Sequence, residues 1–352
     1  MFSPCQAIFR KNTIQISFLN LLFLLMLLIS LSSGATATSN QLSPLAKKQV
    51  EEFVNTLQEK HSLNKSKYMN LLINISIQSK ALNLVKPGKE KSQRKKSWDE
   101  YRKNFINREN IRHGRKFLQT HKSIFKKSYE QFGIPSSIIA AIIGVETKFG
   151  KYQGTYPVLD TLATLAFENS GRKPFFKKEL ENLILLSLEQ KFRIKKLKSS
   201  YAGALGIPQF MPSSWREFAI DFNKDGKTDL INSYDDAIGS IANYLIQHGW
   251  KHGIATHSKL VRAPSLKPEK FFTYRLKAEF RLEELLAVGL REDNVILSPH
   301  QKVSVIDLEL KNKNKVFWLA TDNFFAITMY NRSYMYAAAV VELAQSLERQ
   351  KL

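Results

Sequence analysis

The chain has 352 residues, 43% of them hydrophobic, and carries 53 Lys and Arg against 31 Asp and Glu, for a formal net charge of +22. That length can bury a substantial core as one large or two smaller domains. The charge calls for a polyanionic partner, and the single cysteine, Cys5, excludes a disulfide framework.

At the N-terminus, Arg10 and Lys11 precede an apolar run from about Phe18 to Leu31, followed by Ala35-Thr36-Ala37. This charged, apolar and small-residue order predicts a signal peptide over residues 1–37, and hence export. The alternative is an uncleaved anchor, for which the run falls short of the ~20 residues a membrane span needs. Cys5 lies inside the removed segment, so thiol catalysis is excluded from the mature chain. No zinc-finger spacing, RNP-like motif or aromatic–basic alternation is present, so nucleic acid is not an expected partner. For an exported protein, anionic cell wall or membrane surface fits the charge better.

Residues 44–57 and 65–84 have helical periodicity, with Val50, Phe53, Val54 and Leu57 on one face. They predict two amphipathic helices in an N-terminal region, 38–97, that ends in the basic linker KPGKEKSQRKK at 86–96. Ordered structure restarts at Trp98, and 112–132 reads as one helix. Further helices are predicted over 158–167, 178–188 and 237–247, and a Gly-, Ala- and Pro-rich stretch, 199–213, rules out a long helix there. From 265 to 322 the character changes: VSVIDL at 303–308 alternates and 316–320 is a candidate strand, which predicts a small β-containing insertion. A C-terminal segment, 323–352, returns to helix from Ser333.

The segment IIAAIIGVETKFG, 138–150, is apolar on every face up to Gly144, so its helix should be buried. Pro135 suits its first turn and Gly150 its stop. Glu146 then sits near the helix C-terminus at the edge of an apolar interior. Desolvation and the negative end of the helix dipole both disfavour its ionised form. A carboxyl kept protonated near neutral pH is what a general acid needs. The plainer alternative is a surface glutamate paired with Lys148 or Lys151.

There is no G-x-S-x-G, no H-E-x-x-H and no Walker-type loop, which sets aside serine-triad, zincin and phosphate-loop chemistry. His248 and His252 have metal-compatible spacing, but Gly249 interrupts the helix that would align them. DFNKDGKTDLIN, 221–232, is more specific. It places oxygen ligands Asp221, Asn223 and Asp225 at alternate positions, Gly226 at the sharp turn and the Lys227 carbonyl next. This is the first half of an EF-hand calcium loop, and its final position holds Asn232 instead of glutamate. Asp235 or Asp236 is positioned to supply the missing carboxylate.

Five blocks occur in order: GVETKFG (144–150), SSYAGALGIPQFMPSSW (199–215), DFNKDGKTDL (221–230), DAIGSIANYLIQHGW (236–250) and MYNRSYMYA (329–337). Together they resemble the membrane-bound lytic murein transglycosylase B family (family 3 lytic transglycosylases), from about Trp98 to the C-terminus. The resemblance implies a mainly α fold: a lysozyme-like catalytic core over 98–264, completed by 323–352, with a helical N-terminal domain and a small inserted β-domain. It implies periplasmic, non-hydrolytic cleavage of the β-1,4 bond between N-acetylmuramic acid and N-acetylglucosamine in peptidoglycan, which leaves 1,6-anhydromuramoyl ends. The family's single acid/base falls on Glu146. Its glycan-binding set falls on Tyr101, Ser200, Gln209, Phe210, Tyr244, Tyr330, Asn331 and Tyr336. Arg172 and Lys173 match a basic pair near the stem peptide. A structural calcium ion would be held by Asp221, Asn223, Asp225, Lys227 (backbone) and Asp236, and no organic cofactor is implied. Implied partners are glycan strands and other cell-wall enzymes, with the enzyme a monomer. Ile207-Pro208 stands where some members have Tyr-Gly, and the lipid-attachment cysteine of the membrane-bound form is missing.

Overall fold

The computed structural model describes residues 41–86, 96–261, 268–273, 275–293 and 297–349. The expected signal segment and nearly all of the basic linker lie outside these residues. The N-terminal region forms α1 (Pro44–His61), α2 (Lys65–Ile73) and α3 (Ser79–Val85). Then come α4 (Trp98–Arg102), α5 (Arg108–Thr120), α6 (Lys122–Phe132) and α7 (Ser136–Thr147), followed by β1 (Tyr156–Pro157), α8 (Val158–Phe167), α9 (Lys173–Glu189) and β2 (Lys198–Ser199). Two further helices, α10 (Pro212–Phe218) and α11 (Tyr234–Gln247), lead to the sheet strands β3 (His257–Val261), β4 (Phe280–Arg281), β5 (Arg291–Glu292), β6 (Lys302–Glu309) and β7 (Lys315–Thr321). The short α12 (Leu282–Ala287) lies among them, and α13 (Asp322–Tyr330) and α14 (Tyr334–Glu348) close the chain. The described residues are thus mainly α.

Sequence determines these ends locally. Ser43 caps α1 by accepting from the Ala46 N–H, with Pro44 in the first turn. The expected face of Ala46, Val50, Phe53, Val54 and Leu57 is the buried one. Two expected helices are each two. The 65–84 stretch breaks after Ile73, where Ile75 turns into the core and the Gln78 N–H donates to Thr164 Oγ1 at 3.0 Å. The 112–132 stretch breaks at His121, whose ring packs 4.6 Å from Phe117 and 4.7 Å from Tyr234. In both cases tertiary packing overrides a continuous local pattern.

Two hydrophobic cores face each other. One joins α4, α5, α6, α7, α11, α13 and α14; the other joins α1 and α2 to α8, α9 and α10. The N-terminal helices therefore pack into the same apolar cluster as half of the expected catalytic core. Tyr330 packs against both clusters.

The β-insertion is a five-stranded antiparallel sheet in the order β4-β6-β7-β3-β5. It begins at His257, before the expected boundary at 265, because β3 pairs with β7 (His257 opposite Ala320). Period-2 alternation divides its faces. Val303, Val305, Phe317 and Leu319 line a small core with Leu282 and Leu285 of α12, whereas Ile306, Leu308, Trp318 and Ala320 face the α7 core. Helix α13 was not expected; Thr321 caps it by accepting from the Asn323 N–H.

Candidate active site

Helix α7 buries eleven of its twelve residues, as an all-apolar pattern requires, and packs against α5, α6, α11 and α14. It ends at Thr147, three residues before Gly150. The Lys148 N–H returns to the Gly144 carbonyl at 3.1 Å and the Phe149 N–H to the Ile143 carbonyl at 3.2 Å, the first being the single bond of an αL-type closure. Glu146 lies in this last turn and is 5% exposed. Burial pushes its carboxyl up to about 8. The Tyr336 hydroxyl donates to Glu146 Oε1 at 2.5 Å and works in the opposite direction. Neither Lys148 nor Lys151 forms an ion pair with it among the described residues.

Tyrosines from four other helices surround this carboxyl. Tyr101 of α4, Tyr244 of α11, and Tyr330 and Tyr336 at the α13–α14 corner all have phenols raised by burial, with the Glu146 charge adding to the effect. Two are orientated by backbone acceptors: Tyr244 OH donates to the Met329 carbonyl at 2.7 Å and Tyr330 OH to the Pro208 carbonyl at 2.6 Å. Phe210 is 2% exposed and lies behind them, 5.4 Å from Tyr244 and 5.7 Å from Tyr330 between ring centroids. Asn331 follows α13, 5% exposed, and its Oδ1 has no hydrogen-bond partner among the described residues. Such a buried acceptor can take a hydrogen bond from a water or a ligand group.

The 199–210 loop closes the other side. Ser200 Oγ accepts from the Ala204 N–H at 3.1 Å, and Leu205 and Phe210 pair across the loop. Gln209 adopts φ +52, and its Nε2 donates to the carbonyls of Gly206 (2.8 Å) and Gln153 (3.1 Å). Both amide hydrogens are thereby used, and Oε1 is what remains for a ligand. Ile207 is 1% exposed, so its side chain packs in the interior and its carbonyl accepts from Thr147 Oγ1 at 3.0 Å. The Ile-Pro pair thus acts through its backbone carbonyls, one on α7 and one on Tyr330.

Other candidates have structural partners. Lys173 Nζ donates to the Phe167 carbonyl (2.8 Å) and to Gln49 Oε1 (3.3 Å), and the Arg172 guanidinium lies over Phe175 at 4.3 Å. The carboxylates nearest Glu146 downstream in sequence are also engaged: Asp160 by the Ser76 backbone, beside Lys195 and Lys198, and Glu168 by the Ser43 N–H at 3.0 Å. His248 stacks on Tyr244 at 3.9 Å and His252 lies 6.1 Å from the Tyr129 ring, so each imidazole has an aromatic neighbour.

In the 221–232 loop, Asp221 accepts from the N–H groups of Asp225 and Gly226, Asn223 from Asp225, and Asp225 from Lys227. Hard oxygens therefore gather on one turn, the donor chemistry calcium takes. Asp236 differs. It is fully buried, and its oxygens accept from the N–H groups of Phe222 (2.9 Å), Asn223 (3.4 Å) and Asp229 (2.9 Å). It braces the loop from α11, and with three N–H donors on a carboxylate of about four acceptor sites, its Oδ2 keeps acceptor capacity. Among the described residues no three Asp, Glu, His or Cys side chains converge, so Asn223 and the Lys227 carbonyl would have to complete any set.

Sequence reasoning missed the 148–154 loop as a structural partner of Gln209. Its only sequence signal is Gly154, which has φ +100 and lies so close to the Ser199 carbonyl that a Cβ would meet it.

Residues 46–345 match the model of the transglycosylase SLT domain. The chain is 34% identical to membrane-bound lytic murein transglycosylase B of Escherichia coli over 308 residues, covering 84% of this chain and 82% of that protein. Among solved structures, catenated lytic transglycosylase SltB1 from Pseudomonas aeruginosa is similar at 37% identity and a TM-score of 0.78, covering 87% of this chain and 97% of that one. The Escherichia coli lytic transglycosylase Slt35 in complex with calcium is similar at 32% identity and a TM-score of 0.75, covering 88% and 96%. Among the described residues no helix is long and apolar enough to cross a membrane. With the match spanning most of its length, the chain belongs to the SLT transglycosylase family, has its lysozyme-like fold, and is a lytic murein transglycosylase acting on peptidoglycan.

Proposed function

We propose that Glu146 is the single acid/base of this reaction. In its protonated form it gives its proton to the glycosidic oxygen between N-acetylmuramic acid and N-acetylglucosamine as the C1–O bond breaks. The substrate's 2-acetamido group stabilises the oxocarbenium-like centre, so a second protein carboxylate is not obligatory. The resulting Glu146 carboxylate takes the proton of the muramoyl 6-hydroxyl, whose oxygen bonds to C1 and closes the 1,6-anhydro ring. No water is consumed, and Glu146 ends protonated. Intramolecular attack draws on a high effective molarity, which lets it outrun hydrolysis.

The observation carrying this reading is a buried carboxyl held up to about 8 with a phenol as its hydrogen-bond partner. Asp160 and Glu168, the carboxylates an inverting hydrolase would draw on, have partners elsewhere. Tyr101, Tyr244, Tyr330 and Tyr336 wall the sugar site, with Phe210 behind them. Asn331 Oδ1 and Gln209 Oε1 accept from substrate N–H or O–H groups, and Ser200 sits on the same loop. Arg172 and Lys173 stand at the N-terminal end of α9.

Calcium suits the 221–232 loop, with Asp221, Asn223, Asp225, the Lys227 carbonyl and Asp236 as its ligand set, Asp236 also bracing the loop through backbone N–H groups. When bound, it would stiffen the loop and neutralise its carboxylates. Export by the 1–37 segment to the periplasm fits the substrate, an inner-membrane anchor being the alternative. The enzyme would act as a monomer on glycan strands, alongside other cell-wall enzymes.

Digestion of purified sacculi followed by mass spectrometry tests the reaction. The expected products carry 1,6-anhydro ends, and Glu146→Gln forms them about 10²–10⁴-fold more slowly. Products heavier by one water would instead establish a hydrolase.

A further inference from the structure

The chain leaving α7 forms an exposed cationic rim with one aromatic ring on it. Lys148, Phe149 and Gly150 have φ of 48°, 61° and 83°. Three successive left-handed residues, two of them bearing Cβ, persist only where the surroundings hold them. Here the Gly150 N–H donates to Thr147 Oγ1 and the Tyr152 N–H to the Thr147 carbonyl, both at 3.0 Å, while Tyr234 OH donates to the Phe149 carbonyl at 3.2 Å. Farther on, the Gln153 carbonyl accepts from Gln209, its side chain donates to the Ile231 carbonyl at 3.0 Å, and Gly154 abuts the Ser199–Ser200 backbone. The loop is braced on both the Glu146 helix and the Ser200–Gln209 loop, which makes it a rigid edge of the cleft.

Its outward side chains have little internal employment. Tyr152 is 54% exposed, with Lys148 Nζ 5.3 Å from its ring centroid. Lys151 Nζ lies 3.4 Å from His113 Nε2, which is 3.5 Å from the Arg112 guanidinium. The acid facing this group is Glu109, 3.8 Å from His113 Nδ1 and itself largely exposed. Three permanent cations and an aromatic ring thus meet one solvated carboxylate. The Arg172–Lys173 pair, by contrast, has Lys173 drawn back onto Phe167 and Gln49.

We propose that the rim of Lys148, Lys151, Tyr152 and Arg112 binds the carboxylate-bearing peptide branch of the substrate glycan. The cations pair with its carboxylates, and the Tyr152 ring covers its apolar stem. The inference rests on the proposed reaction. Because the branch is covalently joined to the sugar in the cleft, pairs that are weak at an exposed surface act at high effective concentration.

The test compares glycan strands that keep their peptides with strands stripped by an amidase. The variant combines Lys148→Asn, which tolerates the left-handed backbone, with Lys151→Gln and Tyr152→Ala. On peptide-bearing strands KM should rise about five- to tenfold with kcat nearly unchanged. On stripped strands variant and wild type should agree within about twofold, and the wild-type preference for peptide-bearing strands should fade at ~0.5 M salt. If the triple variant melts early, Lys151→Gln with Tyr152→Ala gives the same readings from exposed positions. Equal losses on both kinds of strand, or no loss on the peptide-bearing kind, would overturn the proposal. A wild type that releases no anhydro product from either kind would overturn the proposed reaction instead.

Discussion

The Tyr336 hydroxyl and the Glu146 carboxyl meet at 2.5 Å, although 190 residues of chain separate them and both are buried. The phenol hydrogen bond stabilises the carboxylate form, and burial opposes it more strongly. Tyr336→Phe removes the donor and keeps the ring, so Glu146 should titrate higher. The alkaline limb of kcat is then expected to move to higher pH. The kcat value itself should fall, because the carboxylate formed after proton donation loses its partner. A pH–rate profile of the variant checks this, and a limb shifted to lower pH would contradict it.

Glu146→Gln should reduce turnover by about 10²–10⁴-fold, the usual scale for a positioned acid/base. Its effect on stability has the opposite sign. The folded carboxyl, at about 8, holds its proton more tightly than the unfolded one at 4.5. Between those values the unfolded chain binds fewer protons, so wild-type stability falls as pH rises, by at most about 1.4 kcal/mol per unit. The glutamine variant escapes this penalty. Its melting temperature should match the wild type near pH 4.5 and exceed it at pH 8.

What could be read from sequence follows physical range. An all-apolar run ending in Glu146 needs only local periodicity, so the buried helix and the raised carboxyl were legible. The break at Ile75 and the kink at His121 depend on Thr164 and Tyr234, which lie far along the chain. The aromatic blocks at 244 and 329–337 were visible as motifs. That Tyr244 and Tyr330 spend their protons on Met329 and Pro208 was not. Asp236 shows the limit most clearly. Its spacing suggests a cation ligand, and only the fold reveals that it also accepts from three backbone N–H groups.

Gly154 should be intolerant of a side chain although it lies in a partly exposed loop. At φ +100 an alanine is strained, and its Cβ would sit 2.1 Å from the Ser199 carbonyl oxygen, a backbone atom that cannot turn aside. Gly154→Ala should cost about 1–3 kcal/mol of stability. It should also raise KM, since the shift reaches Ser200 directly and Gln209 through the Gln153 carbonyl. Thermal melting and steady-state kinetics on the same preparation check both effects.

The calcium loop yields two variants with separable outcomes. Asp236→Asn keeps the shape but weakens the acceptors of three backbone N–H groups, and hydrogen bonds to a charged acceptor are worth about 1.5–3 kcal/mol. It should destabilise the protein with chelator present, before any metal enters. Asp225→Asn removes a carboxylate whose oxygens accept from the Lys227 N–H and Asn223 Nδ2 on an exposed turn. With chelator it should melt close to the wild type. Added calcium should raise the wild-type melting temperature in proportion to ln(1 + [L]/Kd), and that increment should shrink in Asp225→Asn. Denaturation scans across a calcium series separate the two. A wild type indifferent to calcium would leave the loop a turn held by its own backbone hydrogen bonds, with Asp236 still its brace.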